Sequence, residues 1–466
     1  MEPLTLQNCI EATGGRAFRL GSAACVSRVE TDSRSARQGD LFFALKGERF
    51  DAHDFLPEVV ARGVAAVVVR NGSEDRVPAG PAVIVVDDTR AALGRLAAAY
   101  RRQRIVRTAC VCGSNGKTST KEMLADILAT RIRTLRSEAS FNNDIGVPLS
   151  LLRIDASHEA AVLEAGTNHP GELAPLVAMI TPDVGLVPSI GREHLEHFGD
   201  LAGVVEEESA LGRGLSQQGV LVLGGDMPSA DVLAAATRAR VVRAGFVAGN
   251  DWRVRLTATR WESTSFQLTA PHPEWCLEFE LGVPGRHMVA NAAVALAAAA
   301  AMGAEPEPAR RALAAFRGAK QRLQWTEQAG VRLLDDTYNA NADSMLAALQ
   351  TLSDLPCAGR RVAILGDMAE LGSHAGEAHR EVGAAAGRLG LDVLVAIGRH
   401  SELTREAAAG TKTRLSFPDV ESALPAVRDL LRNGDTVLAK ASRSSRLERV
   451  IEALREHLRS GEPPSN

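Results

Sequence analysis

Gly113-Ser114-Asn115-Gly116-Lys117-Thr118-Ser119-Thr120 decides how this chain is read. The apolar run Val106 to Cys112 precedes it and a helix-like run, Thr118 to Thr130, follows. Strand, glycine loop and helix in that order make a cradle for phosphate. Glycines let the backbone turn tightly and present N–H groups, and the helix N-terminus adds partial positive charge. Lys117 reaches toward β- and γ-phosphates, and the Thr118 hydroxyl suits Mg²⁺. The loop is the short form GxxGKT, because Val111 stands where the longer pattern has its first glycine. Alone it says nucleotide binding and names no reaction.

Outward from the loop, strand-like and helix-like runs alternate almost throughout. Val64 to Val69, Ala82 to Val86, Ala160 to Leu163, Asp183 to Val187, Arg361 to Leu365 and Leu391 to Ile397 read as strands, with helical runs such as Arg90 to Arg102 between them. Such alternation predicts an α/β fold with mainly parallel sheets. Asp251 to Leu281 alternates Thr, Trp and Phe with polar residues, as antiparallel strands do. With 466 residues the chain suits about three domains. We divide it at Gln103 and Gly318: a smaller N-terminal α/β domain (1–103), a central phosphate-loop domain (104–318) and a Rossmann-like C-terminal domain (319–466). The polar tail from Ser460 to Asn466 is expected to fray.

Composition excludes several classes. Hydrophobic content of 45%, charged content of 24% and a net charge of -4 describe an ordinary globular protein with no electrostatic pull toward nucleic acid. The cysteines, Cys9, Cys25, Cys110, Cys112, Cys276 and Cys357, form no CxxC pair, which fits a reducing cytoplasm. No signal peptide is apparent at Met1. The Ala-rich run Val289 to Met302 is too short and too interrupted to span a membrane.

Acids and imidazoles gather after the loop. Leu163-Glu164 ends a strand on a carboxylate, which is either a Mg²⁺ ligand or an ordinary strand end. Gly191-Arg192-Glu193-His194-Leu195-Glu196-His197-Phe198-Gly199 is either a set of metal ligands or a solvated polar loop.

Taken together these segments resemble the Mur ligase family. The loop is similar to its G-[ST]-N-G-K-T-[ST]-T segment, and Glu164 and His194 match its two magnesium-site segments. Leu281 to His287 with Asn291 resembles the segment beside its adenine. Asp335-Asp336-Thr337-Tyr338-Asn339-Ala340-Asn341-Ala342-Asp343-Ser344-Met345, Leu365-Gly366-Asp367-Met368-Ala369-Glu370-Leu371-Gly372 and Lys440-Ala441-Ser442-Arg443 resemble the branch that adds a dipeptide. Thr31 to Arg34, Gly39 to Gly47, Asp51 to Phe55 and Phe141 to Pro148 resemble the same branch. The resemblance covers essentially the whole chain.

It implies a cytoplasmic, monomeric ligase that uses ATP and Mg²⁺ to join D-alanyl-D-alanine to UDP-N-acetylmuramoyl-tripeptide. That step belongs to peptidoglycan precursor synthesis, and so to cell shape and division. It implies catalytic roles for Lys117, Glu164, His194 and Arg322. Nucleotide contacts fall on Gly113, Ser114, Asn115, Gly116, Lys117, Thr118, Ser119, Asn291, Arg322 and Asp336. Ser33, Arg34, Gly47, His53, Asn142, Asn143, Tyr338, Asn339, Asp367 and Lys440 fall on the substrates. The alternatives are a related Mur or folylpolyglutamate-type ligase with another acceptor, and an inactive nucleotide-binding module.

One departure bears on the metal site. The family carries a carbamylated lysine on the helix after the histidine loop, and that position falls on Glu208, with Glu206 or Glu207 as neighbouring registers. Lysine occurs only at Lys46, Lys117, Lys121, Lys320, Lys412 and Lys440, so no carbamate can form on this helix. A glutamate offers the same charge and two hard oxygens. The expected metal ligands are therefore Thr118, Glu164, His194 and Glu208.

Overall fold

The structure, a computed structural model, describes residues 1–459; the tail expected to fray lies outside the described residues. Among the described residues three large sheets follow one another along the chain. The first has five strands in the spatial order Arg16–Arg19, Ala82–Val86, Ala66–Arg70, Leu41–Phe43, Val29–Glu30, parallel except for its first pair. Runs such as Ala82–Val86 are buried along their whole length, as β-branched strands covered on both faces should be.

The central sheet has nine strands. From the edge strand Thr134–Arg136 it runs through Ala160–Glu164, Arg107–Val111, Val184–Val187, Val220–Gly224 and Arg240–Gly245 to Trp252–Thr259, all parallel. Thr264–Thr269 and Glu278–Leu281 then pair antiparallel, where Thr, Trp and Phe alternate in the sequence. The strand before the phosphate loop lies between two strands that follow it in the chain. Its carboxyl end is therefore a topological switch point, where open α/β sheets form their ligand crevice. Register sets Glu164 opposite Val111 and Leu186 opposite the same residue, so both neighbouring strands end beside the loop.

The C-terminal sheet has six strands in the order Gln324–Gln328, Val331–Asp336, Thr436–Lys440, Arg361–Gly366, Val393–Ile397, Thr413–Phe417, parallel but for the first pair. Register places Asp336 opposite Lys440.

The sheets are cemented rather than strung. The helix Thr89–Arg102 lays Leu93, Leu96, Ala97 and Tyr100 into one apolar cluster with Leu173, Leu176, Val177 and Ile180 of the central unit. The Tyr100 hydroxyl donates to the Ile154 carbonyl, and Arg101 Nε donates to Ile180 O at 3.0 Å. On the other side, Trp261 of the central unit packs against Trp325 with ring centroids 5.9 Å apart, and its Nε1–H donates to Pro356 O at 2.9 Å. The Ala-rich helix Arg286–Ala301 is buried on most of its surface, as its composition predicts. No described helix is long and apolar enough to cross a membrane.

Candidate active site

The phosphate loop leaves its strand through Gly113 (φ +101°) and enters the helix Lys117–Ala129 through Gly116 (φ +86°), both left-handed conformations. Only glycine holds these at low cost. A Cβ on Gly116 would lie 2.3 Å from Asn291 Oδ1, so Asn291 rests directly against the loop. The outer loop amides are spent on the scaffold. Gly113 N donates to Glu208 Oε2 at 2.7 Å, Ser114 N to Ser189 O at 2.8 Å and Asn115 N to Ser189 Oγ at 3.2 Å. Ser114 Oγ donates to Gly191 O and accepts from Gly191 N. No side chain caps the following helix. Its first N–H groups, at Lys117, Thr118 and the buried Ser119, are thus the ones left for an anion.

Charge is concentrated at the helix mouth. Lys117 Nζ curls back to the Gly113 and Ser114 carbonyls and lies 3.5 Å from Glu193 Oε1. Burial pushes its pKa down, but Glu193, Glu208 and Glu164 outweigh burial and hold it above the usual lysine value. Glu164 is buried. It accepts from Thr118 Oγ1 at 3.0 Å and from Asn142 Nδ2 at 3.0 Å, and Lys121 Nζ lies 3.7 Å away. Two hard oxygens from Thr118 and Glu164 facing one another at the loop fit Mg²⁺.

The three consecutive glutamates of the helix Leu201–Gly214 have three separate environments. Glu206 is exposed and pairs with Arg213. Glu207 is buried and accepts from Gly171 N, Leu173 N and Thr167 Oγ1, which ties the helix to the 167–173 segment. Glu208 is buried beneath the loop on Gly113 N. Burial pushes its carboxyl up to about 7, against the opposing pull of Lys117. His194, at φ 51°, instead turns its ring to Glu370 of the C-terminal unit, and its Nε2 is 4.0 Å from Glu193 Oε2. Glu193 is the site residue that sequence reasoning missed. Its place in the acid-rich loop was visible, but not which acid faced Lys117.

The C-terminal unit brings its matched residues to the strand ends nearest the loop. Asp336 forms a buried ion pair with Lys440 at 2.7 Å, and Lys440 also donates to Asn339 O at 2.8 Å. His287 faces this pair. Burial pulls its pKa down to about 4, Asp336 opposing and Lys440 adding to the fall. The Arg322 guanidinium lies over the Tyr338 ring at 4.4 Å, and the Tyr338 hydroxyl donates to Ser140 Oγ on the central unit. Asn341 Nδ2 donates to Asn115 Oδ1 at 3.0 Å, which joins this unit to the loop itself. Asp367 accepts from Arg399 N and His400 N. Burial raises its pKa, but His379 and these N–H groups overcome that and hold it down at about 2. A cleft of about 750 Å³ opens among the three units, lined by Arg49, His194, Asn339, Glu370, Arg443 and Arg446.

The N-terminal residues are not gathered in the same way. Arg34 pairs with Asp32 at 2.6 Å on the surface, beside Ser33. Gly47 N donates to Phe50 O, closing the turn that holds Arg49. His53 is buried with both ring nitrogens engaged, Nδ1 with Asp51 and Nε2 accepting from Arg70 N. Asn143 Oδ1 accepts from Ile145 N and Gly146 N, while its neighbour Asn142 reaches Glu164.

Fold and site together define a phosphate-loop protein in which a second α/β unit closes on the nucleotide crevice. The chain belongs to the Mur ligase family. Its models match at residues 26–101 (Mur ligase family, catalytic domain), 111–299 (Mur ligase middle domain) and 321–443 (Mur ligase, glutamate ligase domain). The UDP-N-acetylmuramoyl-tripeptide–D-alanyl-D-alanine ligase of Escherichia coli K12 is 37% identical over 442 residues, covering 94% of this chain and 95% of its own. The ligase of the same name from Bacillus subtilis 168 is 35% identical over 92% of this chain and 93% of its own. The crystal structure of MurF from Acinetobacter baumannii superposes with a TM-score of 0.91 at 35% identity, covering 98% of this chain and 99% of that one. MurF from Thermotoga maritima in complex with ADP gives a TM-score of 0.81 at 27% identity, over 93% and 98%.

Proposed function

We propose that the chain joins D-alanyl-D-alanine to the tripeptide carboxylate of UDP-N-acetylmuramoyl-tripeptide, with ATP cleaved to ADP and phosphate. It is an ATP- and Mg²⁺-dependent ligase of peptidoglycan precursor synthesis. Near full-length identity to ligases of that name carries the reading. In the reaction a carboxylate oxygen attacks the γ-phosphorus and the bond to ADP breaks. The dipeptide amine then attacks the acyl carbon, loses its proton, and phosphate leaves.

Two anions have to meet in the first step, so positive charge must already be in place. In our assignment Lys117 and the amides of Lys117, Thr118 and Ser119 supply it at the phosphates. Thr118 and Glu164 hold Mg²⁺, which when bound neutralises phosphate charge. Arg322, stacked on Tyr338, faces the γ-phosphate side, Asp336 the ribose and Asn291 the adenine. His194, with Glu164 or Glu208, would hold a second Mg²⁺, and Asp367, Asn339 and Lys440 lie on the dipeptide side. The divisions near Gln103 and Gly318 separate a UDP-substrate unit, an ATP unit and a dipeptide unit. The free cysteines fit a cytoplasmic setting.

Glu208 takes the place of a carbamylated lysine. It is anionic charge built into the chain, set under the loop at Gly113 rather than acquired from CO₂. Phosphate release from ATP in CO₂-depleted buffer tests both statements. Release that requires both substrates, with product heavier by the dipeptide and no response to added bicarbonate, is the expected outcome. Release with a single amino acid as acceptor would sink the dipeptide assignment, and stimulation by bicarbonate would sink the glutamate replacement.

A further inference from the structure

Beside the His194–Glu370 contact, one side chain ties the loop that carries Glu193 and His194 to two helices of the C-terminal unit. The Arg192 backbone N–H donates to Asp343 Oδ2 at 2.7 Å, and its Nε and Nη2 donate to Asp343 Oδ1 at 3.2 and 2.8 Å. Nη1 and Nη2 donate to Glu381 Oε2 and Oε1 at 2.6 and 3.3 Å. Asp343 lies in the first turn of the helix Ala342–Asp354, and Glu381 sits midway along the helix Ala375–Arg388. One planar guanidinium thus spans two carboxylates from two elements. A lysine point charge has no fork to match that geometry. The preceding residue is fitted to the same contact, since a Cβ on Gly191 would lie 2.6 Å from Asp343 Oδ2. Without the guanidinium, two carboxylates that share Nη2 would be left facing each other and the catalytic loop.

We propose that Arg192 is a positioning residue. It holds the C-terminal unit against the Glu193–His194 loop, and so sets the fraction of molecules in which the residues of both units face one nucleotide. Single exposed ion pairs add little to stability, and each of these groups is about one-third exposed. Arg192 therefore acts on the balance between closed and open arrangements more than on folding. An apparent dissociation constant rises in inverse proportion to the binding-competent fraction, so the effect appears in affinity and in shape.

This inference rests on the ligase reading only for its kinetic arm. The test compares wild type with Arg192→Ala, Arg192→Lys and the double variant Asp343→Asn/Glu381→Gln. The measurements are small-angle X-ray scattering of the free proteins, ADP titration, and steady-state kinetics. The expected result is a larger radius of gyration and an ADP affinity weakened about tenfold. KM for ATP and for the dipeptide rises with kcat at saturation kept within about threefold. Arg192→Lys does not restore any of these, and adding Arg192→Ala to the double variant changes nothing further. Unchanged scattering and ADP affinity in Arg192→Ala would overturn the proposal, even if the melting temperature fell. So would a loss of kcat with KM and scattering unaltered. If wild type shows no dipeptide-dependent turnover, the ligase reading fails alone, because scattering and ADP binding still decide the latch.

Discussion

A buried carboxylate survives beside a phosphate site only if something holds its charge. Glu164 has Thr118, Asn142 and the enclosed Lys121 around it. His287 shows the opposite case, a base kept neutral by burial. Its pKa stands near 4 in the fold against the 6.5 of an unburied histidine. Between those values the unfolded chain binds a proton that the folded chain does not, so stability is full above pH 6.5 and falls as pH drops toward 4. Discounted for its partial exposure, the loss is about 2 kcal/mol. His287→Gln should therefore lose less stability than wild type between pH 7 and pH 4.5 in urea titrations. Parallel losses in the two proteins would show that other groups govern acid sensitivity. At this scale the sequence was readable where a residue's neighbours are local. Thr118 and Glu164 stand at the ends of a helix and a strand that flank the loop. Arg192 and Glu193 were not readable, because a left-handed His194 turns the loop and because Asp343 and Glu381 are 151 and 189 residues away.

Among elements, the loop between strand and helix depends on Gly116 for both its dihedral and the space taken by Asn291. Gly116→Ala should cost about 2 kcal/mol or more in backbone strain and displaced packing. ADP affinity should fall at least tenfold by titration calorimetry, and full affinity would show that the loop tolerates another conformation. The helix Leu201–Gly214 marks a limit of pattern reading. Successive helical residues point about 100° apart, so Glu206, Glu207 and Glu208 look alike in sequence and meet solvent, a neighbouring segment and the phosphate loop in the structure. Strand identity followed from the apolar runs. Strand order did not, because the pairing of Arg107–Val111 with Ala160–Glu164 and Val184–Val187 is settled by long-range contacts.

Over the whole molecule, the cores run across the divisions seen in the sequence. One apolar cluster joins the first sheet to the central unit, and another joins the central unit to the last. A cut at Gln103 would expose Leu173, Leu176, Val177 and Ile180, each worth roughly 2 kcal/mol of lost burial. Chains 1–103 and 104–459, made separately, should bind hydrophobic dye and melt well below the intact protein. Mixing them should restore part of the lost stability. Independent folding of both at wild-type melting temperature would mean that the shared cluster contributes little.

The indole pair across the second division adds an optical property. Trp261 is buried in the central unit with its N–H on Pro356, and Trp325 lies against it from the first strand of the C-terminal sheet. Indole emission responds to the polarity around the ring and to quenching by a close neighbour. Any rotation of one unit against the other therefore changes the light the protein gives off at this seam. The other two tryptophans, Trp252 and Trp275, sit together inside the central unit and supply a steady background. The molecule thus carries its own fluorophore at the joint, and ligand-driven motion can be timed in a stopped-flow instrument without attaching a dye.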